Sequence, residues 1–176
     1  MKKSGKIKLV LPSMKYARGY LRAVKAFDEI GKKTALGVHI PVNTTKDLIP
    51  YLKKARENRL GLNLQKGRVP STLYWAVVGS KVVGRVDIRH KLNKNLRVVG
   101  GHIGYTVVPS ERRKGYGTKM LKLALGKTHK LGIKNALVTC DATNIGSKKI
   151  IEHNGGKLIN QVQQDGILRL RYNIKL

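Results

Sequence analysis

Pro109 divides the most constrained stretch of this chain. Before it, residues 100–108 (GGHIGYTVV) are rich in β-branched and aromatic side chains. After it, a basic turn, Arg112-Arg113-Lys114-Gly115-Tyr116-Gly117, leads into a segment of different period. There Gly117, Met120, Leu121, Ala124 and Leu125 line one side, while Lys119, Lys122 and Lys130 mostly face water. These patterns predict a strand over 100–108 and a helix over 115–131. Pro109 has no N–H to give to a sheet, so the strand must close there. A strand running through a glycine turn directly into a helix belongs to a mixed α/β architecture.

The rest of the chain extends this pattern. Residues 6–11 alternate, with Ile7, Leu9 and Leu11 on one face and Lys6 and Lys8 on the other, which predicts a first strand. With Lys2 and Lys3 ahead of it, this segment lacks the continuous apolar core of a signal peptide. A helix is predicted over 13–30, with Ser13 as N-cap and Leu21, Val24 and Ile30 among its apolar positions. A second is predicted over about 45–58, with Leu48, Ile49, Leu52 and Ala55 along one side. Gly31, Gly37 and Pro41 mark one loop, and Gly61, Gly67 and Pro70 another. Residues 72–78 and 81–89 flank Gly79-Ser80 and read as a β-hairpin. A strand over 134–140, a short helix over 144–154 stopping at Gly155-Gly156, and two strands over 157–164 and 167–175 joined at Asp165-Gly166 complete the order. A chain of 176 residues, 41% hydrophobic, fits one domain with a real core.

Several function classes drop out. No apolar run approaches the ~18 residues of a membrane-spanning helix. Cys140 is the single cysteine, so an intrachain disulfide is impossible and a reducing, cytoplasmic setting is expected. Five His residues and one Cys show no metal-ligand spacing, and no metal site is expected. Thirty-seven Lys and Arg against nine Asp and Glu give a formal charge of +28. Such a field attracts polyanions nonspecifically. The lysines are spread along the whole chain rather than gathered into a stripe with interleaved aromatics, so a solvated basic surface accounts for them.

The basic turn has a specific chemistry. Gly115 and Gly117 remove side chains where a ligand must approach the backbone. The free N–H groups of the helix start, at Tyr116, Gly117 and Thr118, and the helix dipole suit a pyrophosphate. Arg112, Arg113 and Lys114 add charge-assisted contacts. A helix start with solvated arginines is the plain structural alternative. The GxxxxGK[ST] of a P-loop is absent, and the turn lies too late in the chain for a Rossmann fingerprint.

Residues 101–117 (GHIGYTVVPSERRKGYG) resemble the strand–loop–helix motif of the GNAT acetyltransferase superfamily. Its loop reads Gln or Arg, two residues, Gly, one residue, then Gly or Ala, and Arg112, Gly115 and Gly117 match. Residues 139–156 (TCDATNIGSKKIIEHNGG) resemble the second motif, in which an Asn opens a helix that ends at Gly. Asn144, Ser147 and Gly155-Gly156 match it. The pattern is also similar to a poorly characterised bacterial branch of predicted acetyltransferases. The resemblance is good from about residue 72 to the end and thin before residue 60.

The resemblance implies a mixed, mostly antiparallel sheet of about seven strands, with helices on both faces and a splayed central strand pair. It implies one acetyltransferase domain over 1–176, with acceptor-side helices in 1–70 and a cofactor-binding core in 71–176. The implied function is transfer of an acetyl group from acetyl-CoA directly to a primary amine. Cofactor contacts fall on Val107, Val108, Arg112, Arg113, Lys114, Gly115, Tyr116, Gly117, Thr118, Asn144 and Ser147. The pantetheine arm lies between strands 101–108 and 134–140, and backbone N–H groups of residues 105–108 stabilise the oxyanion. His102 is the candidate general base, since many members carry an acid or a His there, and a strand-face His satisfied by a backbone carbonyl is the alternative. Where many members place a Tyr that serves the leaving thiolate, this chain has Ile151, and Tyr105, Tyr74 or Tyr172 are possible substitutes.

Other residues stay open. Cys140 reads either as an acyl carrier or as a buried inert thiol, and Tyr74 and Trp75 either as core or as acceptor-cleft lining. Nothing in the pattern gives His90, Asp87 or Arg89 a role. The acceptor is a small-molecule or peptide amine, and the chain a monomer or homodimer. The alternative functions are a basic nucleic-acid-binding module and a catalytically silent CoA-binding protein on the same scaffold.

Overall fold

The computed structural model describes residues 6–31, Leu36 and residues 40–176, so Gly37 and the first five residues lie outside the description. Strands β1 (Lys8–Val10), β2 (Ser71–Val78), β3 (Lys81–Arg89) and β4 (Ile103–Val107) form one antiparallel sheet in that order. Strands β5 (Asn135–Asp141), β6 (Lys157–Gln164) and β7 (Ile167–Lys175) form a second, in the order β5-β7-β6, again antiparallel. The helices are α1 (Ala17–Asp28), α2 (Leu48–Leu60), α3 (Lys94–Val98), α4 (Tyr116–His129) and α5 (Ile145–His153). Among the described residues no helix is long and apolar enough to cross a membrane.

Two cores form on opposite faces of the first sheet. On one face, α1 and α2 bury Tyr20, Phe27, Leu48 and Tyr51 against Leu73, Trp75 and Val77 of β2. Trp75 is fully buried and stacks on Tyr20 with ring centroids 4.4 Å apart. On the other face, Met120, Leu121 and Ala124 of α4 and Ile151 of α5 pack against both sheets. Tyr74 lies on this second face, where the Lys127 ammonium sits 4.5 Å from its ring centre. Trp75 is therefore core, as its size favours.

A bulge in the β2–β3 hairpin decides which side chains reach which core. Ala76 pairs with Gly84 but Val77 pairs with Val82, so Val83 is an extra residue in β3. One extra residue reverses the facing of everything beyond it. Val83, Val86 and Ile88 consequently join the α4 core, and Arg85, Asp87 and Arg89 turn toward the α1–α2 side.

The element order follows the sequence expectation, with four corrections. The predicted 13–30 helix starts as a 3-10 turn over Met14–Tyr16, and Ser13 makes no side-chain cap. Its buried face is Ala17, Gly19, Tyr20, Ala23 and Phe27, while Ile30 is exposed. Leu21 and Val24 are partly buried against this core, and Gly19 keeps α1 close to the β2–β3 turn: a Cβ there would fall 2.3 Å from the Ser80 carbonyl oxygen. In α2, Ile49 is 65% exposed and Tyr51 takes the core position. Helix α3 was not foreseen; five residues are too few to show a period, and only the Asn93 cap, accepting from Leu96 N–H at 2.9 Å, marks it.

The two sheets meet at one place. His102 N–H donates to the Leu137 carbonyl at 2.7 Å, Leu137 N–H donates to His102 Nδ1 at 2.9 Å, and Gly100 N–H donates to Thr139 Oγ1 at 2.9 Å. Beyond that point β4 and β5 share no ladder. Gly101 makes the approach possible: its φ is +59°, and a Cβ there would lie 2.3 Å from the Leu137 oxygen. Gly101→Ala is therefore expected to destabilise the protein by more than about 2 kcal/mol in chemical denaturation, through strain plus a backbone clash. Gly166→Ala, also at positive φ but with nothing within 4 Å, is expected to cost only about 1 kcal/mol.

Candidate active site

The backbone of β4 presents one unpaired edge. Arg89 N–H donates to the His102 carbonyl and Val108 N–H donates to the Val83 carbonyl, which fixes the parity of the β3–β4 ladder. Alternate residues of an antiparallel strand point their N–H and C=O groups to opposite sides. The His102 carbonyl and residues 104, 106 and 108 thus bond to β3, while the His102 N–H goes to Leu137 and the amides of Tyr105 and Val107 point into the gap toward β5. Val108 offers no amide to a ligand: its N–H is spent on Val83, and its side chain is buried on the α1–α2 side. This removes one of the expected cofactor contacts.

β4 leads through a 3-10 turn, Pro109–Glu111, to the start of α4. Arg113 and Gly115 both take left-handed conformations, φ +63° and +74°. Gly115 occupies the N-cap position without a side-chain cap, so the amides of Tyr116, Gly117 and Thr118 have no partner within the helix. A Cβ on Gly115 would meet nothing within 4 Å, so the turn faces open space. Gly117 is different: it lies against α5, and a Cβ would fall 2.5 Å from Ile150 Cδ1. Its glycine serves helix packing as well as access to the backbone. Arg112 and Arg113 are exposed, with no side-chain partner among the described residues.

Lys114 is committed elsewhere. Glu111, 6% exposed, accepts from Lys81 Nζ at 2.8 Å and from Lys114 Nζ at 3.2 Å. Burial pushes its carboxyl up, but the two ammonium donors outweigh this and hold it below the usual carboxylate range. Glu111 thereby ties the turn before α4 to the β2–β3 hairpin. This pairing is invisible in the sequence, since a Glu two residues after Pro109 looks like any solvated side chain.

At the start of α5, Asn144 caps the helix through Oδ1, which accepts from Ser147 N–H at 3.0 Å. The cap leaves the Asn144 amide NH2 unused. The Ser147 hydroxyl sits 2.7 Å from the Tyr105 hydroxyl, so β4 and α5 meet across the gap. Burial pushes the Tyr105 phenol up to about 12, partly offset by Ser147. Tyr172, another expected substitute, instead donates to Glu152 at 3.2 Å and is 1% exposed. Ile151 is fully buried in the α4 core. The Cys140 thiol is buried, and burial with the Asp141 charge pushes it up, as expected of an inert thiol.

His102 is held by the sheet junction. With Nδ1 accepting from Leu137 N–H, the neutral ring carries its proton on Nε2. Burial and the nearby charges of Arg97 and Arg89 depress its protonation. In this tautomer neither nitrogen has a free lone pair.

The α1–α2 side holds a feature that sequence reasoning missed. A cavity of about 400 Å³ lies between β2, β3, α2 and α3, lined by Lys54, Arg68, Arg85, Asp87 and Arg89 among others. In the sequence, Arg85, Asp87 and Arg89 alternate with Val86 and Ile88, and nothing in that pattern points to a cavity. The fold covers that face.

A model of the GNAT acetyltransferase domain matches residues 33–157. The chain belongs to this family. Solved structures of GNAT-like fold include the microcin C7 self-immunity acetyltransferase MccE, in complex with acetyl-CoA and AMP. It is 17% identical with a TM-score of 0.70, over 99% of this chain and 98% of that one. Mycobacterium smegmatis RimJ, in complex with CoA-disulfide, is 18% identical with a TM-score of 0.71, over 98% and 83%. RimL, a ribosomal L7/L12 α-N-protein acetyltransferase in complex with coenzyme A, is 13% identical with a TM-score of 0.68, over 97% and 94%. At these identities the likeness concerns the fold. Among curated proteins none matches by sequence.

Glu111 gives the site a pH signature. Its folded-state carboxyl lies below its unfolded value, so it contributes stability above the unfolded pKa and loses it as pH falls through the folded one. Glu111→Gln is expected to cost about 1 kcal/mol at pH 7, because both lysines are solvated. The difference from wild type should shrink toward zero below about pH 4 in denaturation curves.

Proposed function

We propose that this GNAT domain transfers the acetyl group of acetyl-CoA directly to a primary amine. The observation that carries this reading is the unpaired edge of β4, where the Tyr105 and Val107 amides face a gap that leads to the open helix start at Gly115. The residues present fit the cofactor. The amides of Tyr116, Gly117 and Thr118 suit a diphosphate, with Arg112 and Arg113 as charge-assisted donors. Lys114 contributes through its ion pair with Glu111 instead. Asn144 has its amide NH2 to give to a pantetheine carbonyl, and Ser147 acts through Tyr105. The similar structures MccE, RimJ and RimL carry acetyl-CoA or coenzyme A, which supports the assignment.

Bound acetyl-CoA supplies a thioester: a C–N bond to the amine forms as C–S breaks, and the proton released by nitrogen ends on the departing thiol by way of solvent. The protein's part is electrostatic. The Tyr105 and Val107 amides are donors fixed in place by the β3–β4 ladder, which stabilises charge developing on a carbonyl oxygen at that edge. The Tyr105 hydroxyl, at about 12, stays protonated at neutral pH. It is a weaker acid than a thiol, so it donates a hydrogen bond to leaving sulfur rather than giving up its proton. Tyr105 thus takes the place left vacant by Ile151. His102 acts as a positioning residue that pins β4 to β5. Residues 71–176, with β1, form the cofactor-side core, and α1 and α2 cover the acceptor side.

Calorimetry is expected to show acetyl-CoA binding at moderate salt, and an amine panel is expected to release free thiol. Binding without thiol release from any amine would leave a silent CoA-binding protein. Binding of duplex DNA that collapses with modest salt would report charge alone. Tyr105→Phe is expected to lower kcat about tenfold with the acetyl-CoA affinity unchanged.

The His102 role separates by choice of variant. His102→Asn keeps an acceptor near the Nδ1 position, and is expected to retain stability and lose less than about tenfold in kcat/KM. Loss of the 10²–10⁴-fold typical of general base catalysis, together with loss of the acidic limb of the pH–rate profile, would restore His102 as the base.

A further inference from the structure

The sheet edge farthest from β4 also carries open backbone. The strand order β1-β2-β3-β4 places β1 at that edge. Its ladder with β2 ends at the pair Val10–Trp75. Continued by two residues, the same register sets Pro12 opposite Leu73. Pro12 has no N–H to give, so the ladder stops. The β2–β3 parity fixes which way Leu73 points. His90 N–H donates to the Pro70 carbonyl, so Thr72 and Tyr74 bond toward β3 and Leu73 turns its N–H and C=O away from it. Neither group has a backbone partner among the described residues.

A groove of about 310 Å³ lies at this point, between α2 and the start of β2. Leu11, Pro12, Leu52 and Leu73 give it apolar walls. Lys53, Arg56 and Arg59 of α2 line it as well, and no acid does. None of these three cations has an ion-pair partner among the described residues, whereas their neighbour Lys54 is spent on Glu57 and on the Asn63 carbonyl. They recur every third residue, which sets them about 4.5 Å apart along the helix axis. Ile49 and Leu60, on the same side of α2 as Lys53 and Arg56, are both exposed. No residue of β4 or of the turn before α4 lines this groove.

Each of these features asks for a different group, and an extended acidic peptide carries all of them. An open N–H and C=O on one residue accept a strand added alongside. Apolar walls take a side chain of that strand. Unpaired cations take carboxylates. Alternate residues of a strand stand roughly 7 Å apart, and Lys53 and Arg59 about 9 Å apart along α2, so long basic side chains reach two such acids. A nucleic acid has the charge but leaves the apolar walls and the strand edge unused. A second copy of this chain fits poorly, because its only adjacent acids, Asp28 and Glu29, close α1 in helical conformation.

We propose that this groove docks an extended, acidic peptide segment of a partner protein. The segment pairs with Leu73, seats an apolar side chain between Leu11 and Leu52, and gives carboxylates to Lys53, Arg56 and Arg59. This docking is independent of acetyl transfer.

The test is fluorescence anisotropy on the full chain, at moderate salt, with the labelled peptide Gly-Glu-Leu-Glu-Val-Gly. It is expected to bind at least about tenfold more tightly than the same peptide with Gln for Glu, or with Ser for Leu and Val. Backbone N-methylation in one of the two alternating frames is expected to cost a similar factor, since only one edge of an added strand faces Leu73. Lys53→Gln/Arg56→Gln is expected to lower the affinity about tenfold, with the melting temperature and the acetyl-CoA affinity unchanged. Lys130→Gln/Lys134→Gln, an equal change of charge away from the groove, is expected to leave peptide affinity as it was.

The docking site falls if no saturable binding appears below about 1 mM. It also falls if both double variants weaken the peptide alike, if the Ser peptide binds as well as its parent, or if neither methylated frame weakens. A single-stranded DNA oligonucleotide that binds as tightly, with the same loss in Lys53→Gln/Arg56→Gln, would reduce the groove to a patch of charge. Failure of acetyl-CoA to bind would sink the enzyme reading alone.

Discussion

The contact between His102 and Leu137 organises this molecule. Two hydrogen bonds, one from backbone to backbone and one from backbone to the imidazole, join β4 to β5 at their base. Had a ladder continued from there, Tyr105 and Val107 would have been ordinary sheet residues. Because it stops, two backbone amides remain unpaired at the centre of the protein, where such groups are seldom left without a partner. The gap ends where Tyr105 touches Ser147 at the start of α5, and its open side leads to the uncapped start of α4. Among the described residues, N–H groups thus lack a backbone partner at two successive places along one path, a pattern that suits carbonyl and phosphate oxygens.

The bulge at Val83 has a comparable influence on the opposite face. It delivers Val86 and Ile88 to the core under α4 and sends Arg85, Asp87 and Arg89 beneath α1 and α2. Without the extra residue the same charges would point into the apolar core, which desolvation forbids. One irregularity in the ladder therefore both completes a core and lines the cavity beside α2 with charge. Glu111 has a similar double part, since the carboxylate that pairs with Lys114 also fastens the turn before α4 to the hairpin.

Much of this was legible beforehand where the signal is local. The strand–turn–helix around Pro109, the Gly79-Ser80 hairpin and the Asn144 cap each depend on a few neighbouring residues with distinct chemistry, and each formed as the sequence implied. Expectations failed where the deciding partner is distant. Ile30 and Ile49 were read inward on hydrophobicity, yet Tyr20, Phe27 and Tyr51 fill the core under these helices and leave both isoleucines exposed. Val108 looked like a free edge amide until Val83, from another strand, took its N–H. That the His102 ring accepts from the backbone of β5 was likewise not legible locally.

The sequence alone thus determined the order of elements apart from α3, the glycine-bearing helix start and the family motifs, because each is written in residues within one or two turns of one another. Tertiary structure alone decided which amides stay unpaired, which lysine is spent in an ion pair, and that an alternating charged strand is covered rather than solvated. Those outcomes depend on hydrogen-bond partners and faces contributed by segments dozens of residues apart, and on a one-residue bulge whose effect on facing appears only when two strands are laid side by side.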